Sequence, residues 1–407
     1  MPRFEPFVGL RYSDEPTADL SGVICPPYDV ISEPERHHLE AEHEANCVRL
    51  ELPQPGPSGD RYERAARTLA HWREPGGPLL ADDSPSFYVY RMGFRDEHGR
   101  PRQTSGVLGA LGLEPPGEGI LPHERTTPKD KQDRLDLLRA TRTNLSPIWG
   151  LSLASGLSGL CELPGQPDAR ATDSYGVHHR LWRITQPGLL DAIASTVGSA
   201  PVVVADGHHR FEVALAYQAE RREAGDERGP HDALLAFVVE LTDEQLAVAP
   251  IHRLLNDLPA GWDPETLLAP WFTASRTGEP DDSIADRMAE AGALALLTPN
   301  GTWLLTPTPA VAEQATMDLD SSRLDVALAG VPGVGVRFQH GWDNVAAAVA
   351  AGDADAGVLL RPATVAQIAA VADRRDRMPP KTTFFMPKPA TGLVFRALDD
   401  QHERVGS

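Results

Sequence analysis

The sequence predicts a protein of the mixed α/β class. Short apolar runs, several of them rich in β-branched residues, alternate with stretches in which apolar residues recur at helical spacing. The 407 residues are 41% apolar and 24% charged, which is ordinary for a globular chain. This length suits two or three domains of about 100–200 residues each.

Seven runs bounded by turn-forming residues are predicted strands. They are Phe87–Met92, Thr104–Leu113, Val202–Ala205, Ala233–Leu241, Ala293–Leu297, Thr302–Leu305 and Ala356–Leu360. Four stretches with apolar residues three or four apart are predicted helices, namely Tyr62–Trp72, Lys129–Thr143, His208–Arg222 and Val365–Arg374. Thr127 as N-cap and Pro128 at the first helical position give the second helix a start signal.

A loop rich in Asn, Asp, Pro and Gly at residues 256–263 predicts the main domain boundary. We expect a first domain over residues 1–260 and a smaller C-terminal α/β domain over residues 261–407.

The net charge of the chain and its cysteines exclude some classes of function. A formal net charge of −20 argues against non-specific binding to nucleic acid or anionic lipid, both of which require an exposed basic excess. Three cysteines without CxxC spacing indicate neither a disulfide framework nor a zinc knuckle. The chain contains no apolar run of about 18 residues, and residues 1–6 lack the apolar segment of a secretory signal. We therefore expect a cytoplasmic protein with neither nucleic-acid nor membrane partners.

The segment Asp206–Arg210 joins a predicted strand to a predicted helix. Free backbone N–H groups at a helix start favour anions, and Gly207 allows a ligand to approach the backbone closely. Asp206 is placed as an N-cap. The two histidines and the arginine oppose the helix macrodipole, which a negative ligand would compensate. The alternative is an ordinary capped helix whose His and Arg side chains are solvated.

Two further segments carry candidate chemistry. In His123–Arg125 a carboxylate flanked by cations suits a general base that is ionised near neutral pH, although a solvated charged loop has the same pattern. Lys381–Thr383 offers an ammonium and two hydroxyls to a phosphate or carboxylate, although a sheet edge with surface lysines is the alternative. His208 and Glu212 lie four residues apart but have no identifiable third metal ligand, so no protein metal site is predicted.

Taken in order, Pro122-His123-Glu124, Asp206–Arg210 and Pro380–Thr383 resemble three motifs of the ParB/sulfiredoxin-like superfamily. Within it they are most similar to those of archaeal kinases that phosphorylate free L-serine. Over nearly its full length the chain also resembles the bacterial and archaeal family called domain of unknown function 1015. The segments that carry this second resemblance are Cys25–Val30, His123–Pro147, Ala205–Glu212, His252-Arg253 and Met378–Lys388.

The resemblance implies a ParB/sulfiredoxin-like nucleotide-binding core with an N-terminal extension, and a C-terminal domain that contributes to the active site. It implies a kinase that uses ATP or ADP with Mg²⁺ to phosphorylate free L-serine or a similar small hydroxy amino acid. Glu124 is then the catalytic base, and Asp206 is a second catalytic residue. The implied phosphate- and nucleotide-binding residues are His123, Arg125, Gly207, His208, His209 and Arg210. The implied anion- and substrate-binding residues are Lys381, Thr382 and Thr383.

Two other functions stay open at the level of sequence. One is a ParB-like nucleotide-binding switch or a nucleotidase without kinase activity. The other is a structural or interaction protein whose motifs only cap helices. The segment between Glu124 and Asp206 is longer than in the archaeal kinases, which leaves the phosphate donor and the acceptor undecided.

Overall fold

The computed structural model describes residues 1–399, apart from 14, 16, 57–58, 97–98, 116 and 124–130. The predicted mixed α/β class is confirmed, because the described residues form 13 α-helices and 22 strands. The helices are α1 (Glu33–Glu42), α2 (Val48–Glu51), α3 (Arg61–Trp72), α4 (Lys131–Thr141), α5 (Leu157–Leu160), α6 (Pro187–Gly198), α7 (His208–Glu223), α8 (Pro264–Leu267), α9 (Ile284–Ala291), α10 (Pro309–Gln314), α11 (Asp320–Leu328), α12 (Trp342–Ala350) and α13 (Val365–Asp373).

The strands follow the same chain order. They are β1 (Phe4–Glu5), β2 (Gly9–Arg11), β3 (Ala18–Asp19), β4 (Leu80–Ala81), β5 (Phe87–Arg95), β6 (Pro101–Gly112), β7 (Ile120–Pro122), β8 (Thr143–Asn144), β9 (Ile148–Ser152), β10 (Ala169–Thr172), β11 (His178–Ile184), β12 (Val202–Asp206), β13 (Ala233–Glu240), β14 (Ala247–Pro250), β15 (His252–Asn256), β16 (Phe272–Thr277), β17 (Leu294–Thr298), β18 (Gly301–Pro307), β19 (Gly335–Gln339), β20 (Ala356–Leu359), β21 (Thr383–Met386) and β22 (Phe395–Ala397).

The chain packs as two compact units. The first unit comprises Met1–Pro122, Thr126–Ala247 and Pro387–Ser407, and the second comprises His123–Arg125 and Val248–Met386. The division into domains at residue 260 stays a prediction. The helix-start signal at Thr127 and Pro128 lies outside the described residues.

A ten-stranded mixed sheet is the main element of the first unit. Its order is β3-β10-β11-β5-β6-β13-β9-β12-β7, and β1 pairs with β6. Val202 and Val204 of β12 point to one face because side chains alternate along a strand. They are buried in one core with Phe211 and Ala214 of α7. This packing fixes the first turns of α7 against the end of β12.

A second, four-stranded sheet of the first unit has the order β4-β2-β22-β8. Strand β22 brings the C-terminal segment back to the N-terminal strands. Phe395 of β22 packs in one core with Cys25 and Cys47, whose free thiols lie 3.1 Å apart. Cys25 is therefore a buried cysteine.

The second unit contains a six-stranded antiparallel sheet in the order β16-β18-β17-β20-β15-β19. Both faces of its strand β17 are buried. Leu294 and Leu296 of β17 share one core with Leu324 of α11, whereas Ala295 and Leu297 share the other with helices α9 and α12. Burial on both faces explains why β17 reads as a continuous apolar run.

None of the helices in the described part of the chain has the length and apolar character that crossing a bilayer requires.

Candidate functional site

Strand β12 and helix α7 meet at a single glycine. Asp206 is the last residue of β12, and α7 begins at His208. Gly207 between them has φ = +85°, a left-handed conformation that glycine adopts without steric cost. The predicted N-cap was wrong: Gly207, not Asp206, is the N-cap of α7. The physical reason is that the Asp206 carboxylate is bound by side chains instead of by the backbone of the helix.

Two cations from distant parts of the sequence hold that carboxylate. Lys388 Nζ donates to Asp206 Oδ1, and Arg210 Nη2 donates to Asp206 Oδ2 at 2.9 Å. Arg210 Nη1 also donates to the carbonyl oxygen of Pro147. The side chains of Asp206, Lys388 and Arg210 are only 13–14% exposed, so the three charges form one largely buried cluster with a net charge of +1.

Burial and charge act in opposite directions on the pKa of Asp206. Burial alone raises this pKa, but Lys388 and Arg210 together outweigh it and hold the pKa at about 2. Asp206 is therefore an anion at neutral pH. Such a group positions cations and does not accept a proton there.

This pKa predicts how stability depends on pH. A carboxyl group whose folded pKa lies below its unfolded value of about 3.9 stabilises the fold above that value and loses the contribution as the pH falls. We expect the difference in unfolding free energy between wild type and Asp206→Asn to be largest above about pH 5 and to shrink toward pH 2. Urea denaturation at several pH values measures it. A difference that stays constant over this interval would contradict the assignment.

Gly207 also allows a close approach by Arg210. A Cβ atom at this position would lie 3.0 Å from Arg210 Nε and 3.0 Å from Ile148 Cγ2. Arg210 Nε is buried, and the described residues offer it no hydrogen-bond partner. The turn therefore contains a buried donor beside a helix start whose N-cap has no side chain.

We expect Gly207→Ala to destabilise the protein by more than the roughly 1–2 kcal/mol of left-handed backbone strain, because Arg210 must also move. Gly225→Ala is the matched control, since Gly225 has φ = +102° with no atom within 4 Å of its Cβ position. If urea denaturation shows that both variants lose the same unfolding free energy, the contact with Arg210 adds nothing to the cost of Gly207→Ala.

An ion pair lies on α7 directly after its first turn. Lys131 Nζ lies 2.7 Å from Glu212 Oε2, so Glu212, four residues after His208, is paired with a cation. In the described part of the chain, no three His, Cys, Asp or Glu side chains form a cluster suited to a metal ion.

The late motif and His123 form a second set, within the second unit. His123 is 4% exposed, its Nε2 lies 2.8 Å from Thr383 Oγ1, and its carbonyl oxygen accepts from the Met378 N–H at 2.8 Å. Thr382 is also buried, and its hydroxyl donates to the carbonyl oxygen of Pro379. The carbonyl oxygen of Lys381 accepts from Arg253 Nη1 at 3.0 Å. Both threonine hydroxyls thus take part in hydrogen bonds that hold the segment in place.

The predicted site residues fall into two sets. Asp206, Gly207, His208, His209 and Arg210 lie together in the first unit, and His123, Lys381, Thr382 and Thr383 lie together in the second. Glu124 and Arg125 lie outside the described residues. Their roles stay predictions.

Sequence reasoning did not assign a role to Lys388. It belongs to the late segment Met378–Lys388 on which the family resemblance was based, and an isolated lysine there has no local signal of its partner. The ion pair joins residues 182 positions apart.

The chain is distantly similar to several solved structures. A free serine kinase in complex with AMP is 12% identical with a TM-score of 0.35, covering 66% of this chain and 84% of its own. SbnI from Staphylococcus aureus, truncated at its C-terminus, is 15% identical with a TM-score of 0.39, covering 73% and 91%. A conserved hypothetical protein from Pyrococcus furiosus is 12% identical with a TM-score of 0.35, covering 67% and 88%. TM-scores this low carry no argument about activity.

No curated protein matches the sequence. The family model described as "Protein of unknown function (DUF1015)" matches residues 4–327. With most of its length matched, the chain belongs to that family, as the sequence motifs implied.

Proposed function

We propose that the protein is a nucleotide-dependent kinase that transfers a phosphoryl group from ATP or ADP to the hydroxyl of free L-serine or a similar small hydroxy amino acid. The observation that carries this proposal is the turn at Asp206–Arg210. There a helix start without a side-chain cap lies beside a buried cluster of net positive charge. Its sequence is the central one of the three motifs that resemble those of free L-serine kinases.

The residues of this turn suit a polyphosphate. N–H groups in the first turn of a helix and the positive end of its dipole attract phosphate oxygens. Gly207 presents no side chain to block the approach, and Arg210 Nε is a buried donor that an anionic oxygen can satisfy. Asp206 holds Arg210 and Lys388 in place, which supplies the fixed positive charge that phosphoryl transfer requires.

The remaining roles follow the motif assignment. Glu124 takes the proton from the acceptor hydroxyl, whose oxygen attacks the terminal phosphorus while the bond from phosphorus to the leaving nucleotide oxygen breaks. By this assignment the residues that bind nucleotide phosphates are Gly207, His208, His209, Arg210, His123 and Arg125. Those that bind an anion or the substrate are Lys381, Thr382 and Thr383. Mg²⁺ supplies charge screening on the phosphates.

Incubation of the purified protein with L-serine and either Mg-ATP or Mg-ADP tests the proposal. Phosphorus NMR should detect O-phosphoserine with at least one donor, together with ADP or AMP in equal amount. If neither donor yields a phosphorylated product across a panel of small hydroxy amino acids, the kinase proposal is wrong. Release of inorganic phosphate alone would identify a nucleotidase, and preferential binding of CTP without transfer would identify a ParB-like switch.

A further inference from the structure

The first unit contains a cavity of about 60 Å³ beside helices α4 and α7. On the same measure one water molecule needs about 10–15 Å³, so the cavity has room for several non-hydrogen atoms. Much of its wall is apolar, but seven lining residues have polar or charged side chains. These are Tyr28, Glu51, Arg134, Thr143, Asn144, Ser146 and Arg210.

Glu51 is a buried carboxylate for which the proposed reaction has no role. Its residue is 2% exposed, and its Oε1 accepts a hydrogen bond from Ser146 Oγ at 2.9 Å. Among the described residues no ion pair includes Glu51, and the two arginines of the cavity wall, Arg134 and Arg210, pair with Asp133 and Asp206 instead. Carboxylates buried in proteins are normally paired with a cation or held by several hydrogen bonds, so Glu51 has capacity for a positively charged ligand group.

Both arginines in the cavity wall form an ion pair with an aspartate. Arg134 Nη2 lies 2.6 Å from Asp133 Oδ2, and its Nη1 donates to the backbone carbonyl oxygen of Glu51 at 2.8 Å. Its guanidinium also stacks 4.4 Å from the ring centroid of Tyr28. Arg210 donates hydrogen bonds to the carboxylate of Asp206 and to the carbonyl oxygen of Pro147. Of the charged groups in the wall, both arginines are thus ion-paired with aspartates, whereas no ion pair among the described residues includes the carboxylate of Glu51.

Tyr28 belongs to the Cys25–Val30 segment, for which the sequence assigned no chemistry. Burial raises the pKa of its phenol, although Arg210 and Arg134 lie close enough to oppose this. The phenol therefore stays protonated and can donate to or accept from a small polar ligand. Arg210 lies in the wall of the cavity and also in the Asp206 turn, so the cavity adjoins the proposed phosphate site.

We propose that this cavity is the acceptor pocket, and that the Glu51 carboxylate selects acceptors by binding a primary ammonium group adjacent to the reacting hydroxyl. The inference rests on the proposed kinase function. It restricts the acceptor to hydroxy amino acids and amino alcohols, and it excludes hydroxy acids such as glycerate.

Calorimetry with L-serine and with D-glycerate, in the presence of a non-hydrolysable ATP analogue, tests the pocket without requiring turnover. The wild type should bind L-serine and not glycerate. Glu51→Gln should weaken L-serine binding about 10- to 100-fold, as expected for loss of a charge-assisted contact, and leave binding of the ATP analogue unchanged. The exposed Glu44→Gln is the matched control and should bind L-serine normally.

Two results would overturn the proposal that this cavity is the acceptor pocket. One is equal affinity of the wild type for L-serine and glycerate, which needs no variant and so does not depend on the folding of Glu51→Gln. The other is unchanged L-serine affinity in Glu51→Gln. If O-phosphoserine forms while either result holds, the kinase proposal stands and the pocket fails. If L-serine binds through Glu51 but no donor supports transfer, the pocket stands and the kinase proposal fails.

Discussion

Replacing Glu124 with glutamine is expected to lower the rate of phosphoryl transfer by about 10²- to 10⁴-fold, the usual contribution of a general base. The amide has nearly the same shape as the carboxylate but cannot accept the proton of the acceptor hydroxyl. Nucleotide affinity should change little, because the proposed phosphate contacts come from the Asp206–Arg210 turn. Steady-state rates of O-phosphoserine formation and calorimetric nucleotide binding measure the two effects separately.

Glu118→Gln is the matched control for this variant. Glu118 is an exposed glutamate six positions before Glu124, and its replacement should leave both rate and affinity unchanged. If Glu124→Gln transfers the phosphoryl group at the wild-type rate, Glu124 is not the general base. Loss of nucleotide binding in Glu124→Gln would instead assign it to the binding site.

Asp206→Asn is expected to give the largest loss of stability of the variants considered. The substitution removes the carboxylate that both Lys388 and Arg210 contact in a largely buried site. Removing one partner of a buried ion pair costs about 3–5 kcal/mol, because an uncompensated charge remains. Urea denaturation at neutral pH measures this loss.

The double variant Asp206→Asn with Lys388→Met should be more stable than Asp206→Asn alone, since one of the two cations that contact Asp206 is gone. Asp191→Asn, which changes an exposed aspartate in α6, should have little effect. If the loss for Asp206→Asn were as small as that for Asp191→Asn, the charge cluster would not be a stabilising feature.

Local signals predicted much of the secondary structure. The runs at Val202–Ala205 and Ala233–Leu241 became the buried strands β12 and β13, because apolar β-branched and aromatic residues pack well in a sheet covered on both faces. The strand, turn and helix around Gly207 were also predicted. Each of these features depends on residues that are neighbours in the sequence.

Features that depend on distant residues could not be predicted. The N-cap was misassigned because the propensity of Asp for that position is local, whereas the partner that removes it from the cap, Lys388, follows 182 residues later. The strand order of the large sheet, in which β13 lies between β6 and β9, has no sequence signature either. The hydrogen bond from Ser146 to Glu51 also joins residues that are far apart in the sequence, so it could not be predicted either.

The most direct test of the central claim is a crystal structure with a non-hydrolysable ATP analogue. We expect phosphate oxygens within hydrogen-bonding distance of the backbone N–H groups of His208, His209 or Arg210, at the start of α7. Phosphates bound away from this turn would contradict the claim, as would failure of the nucleotide to bind at millimolar concentration in solution.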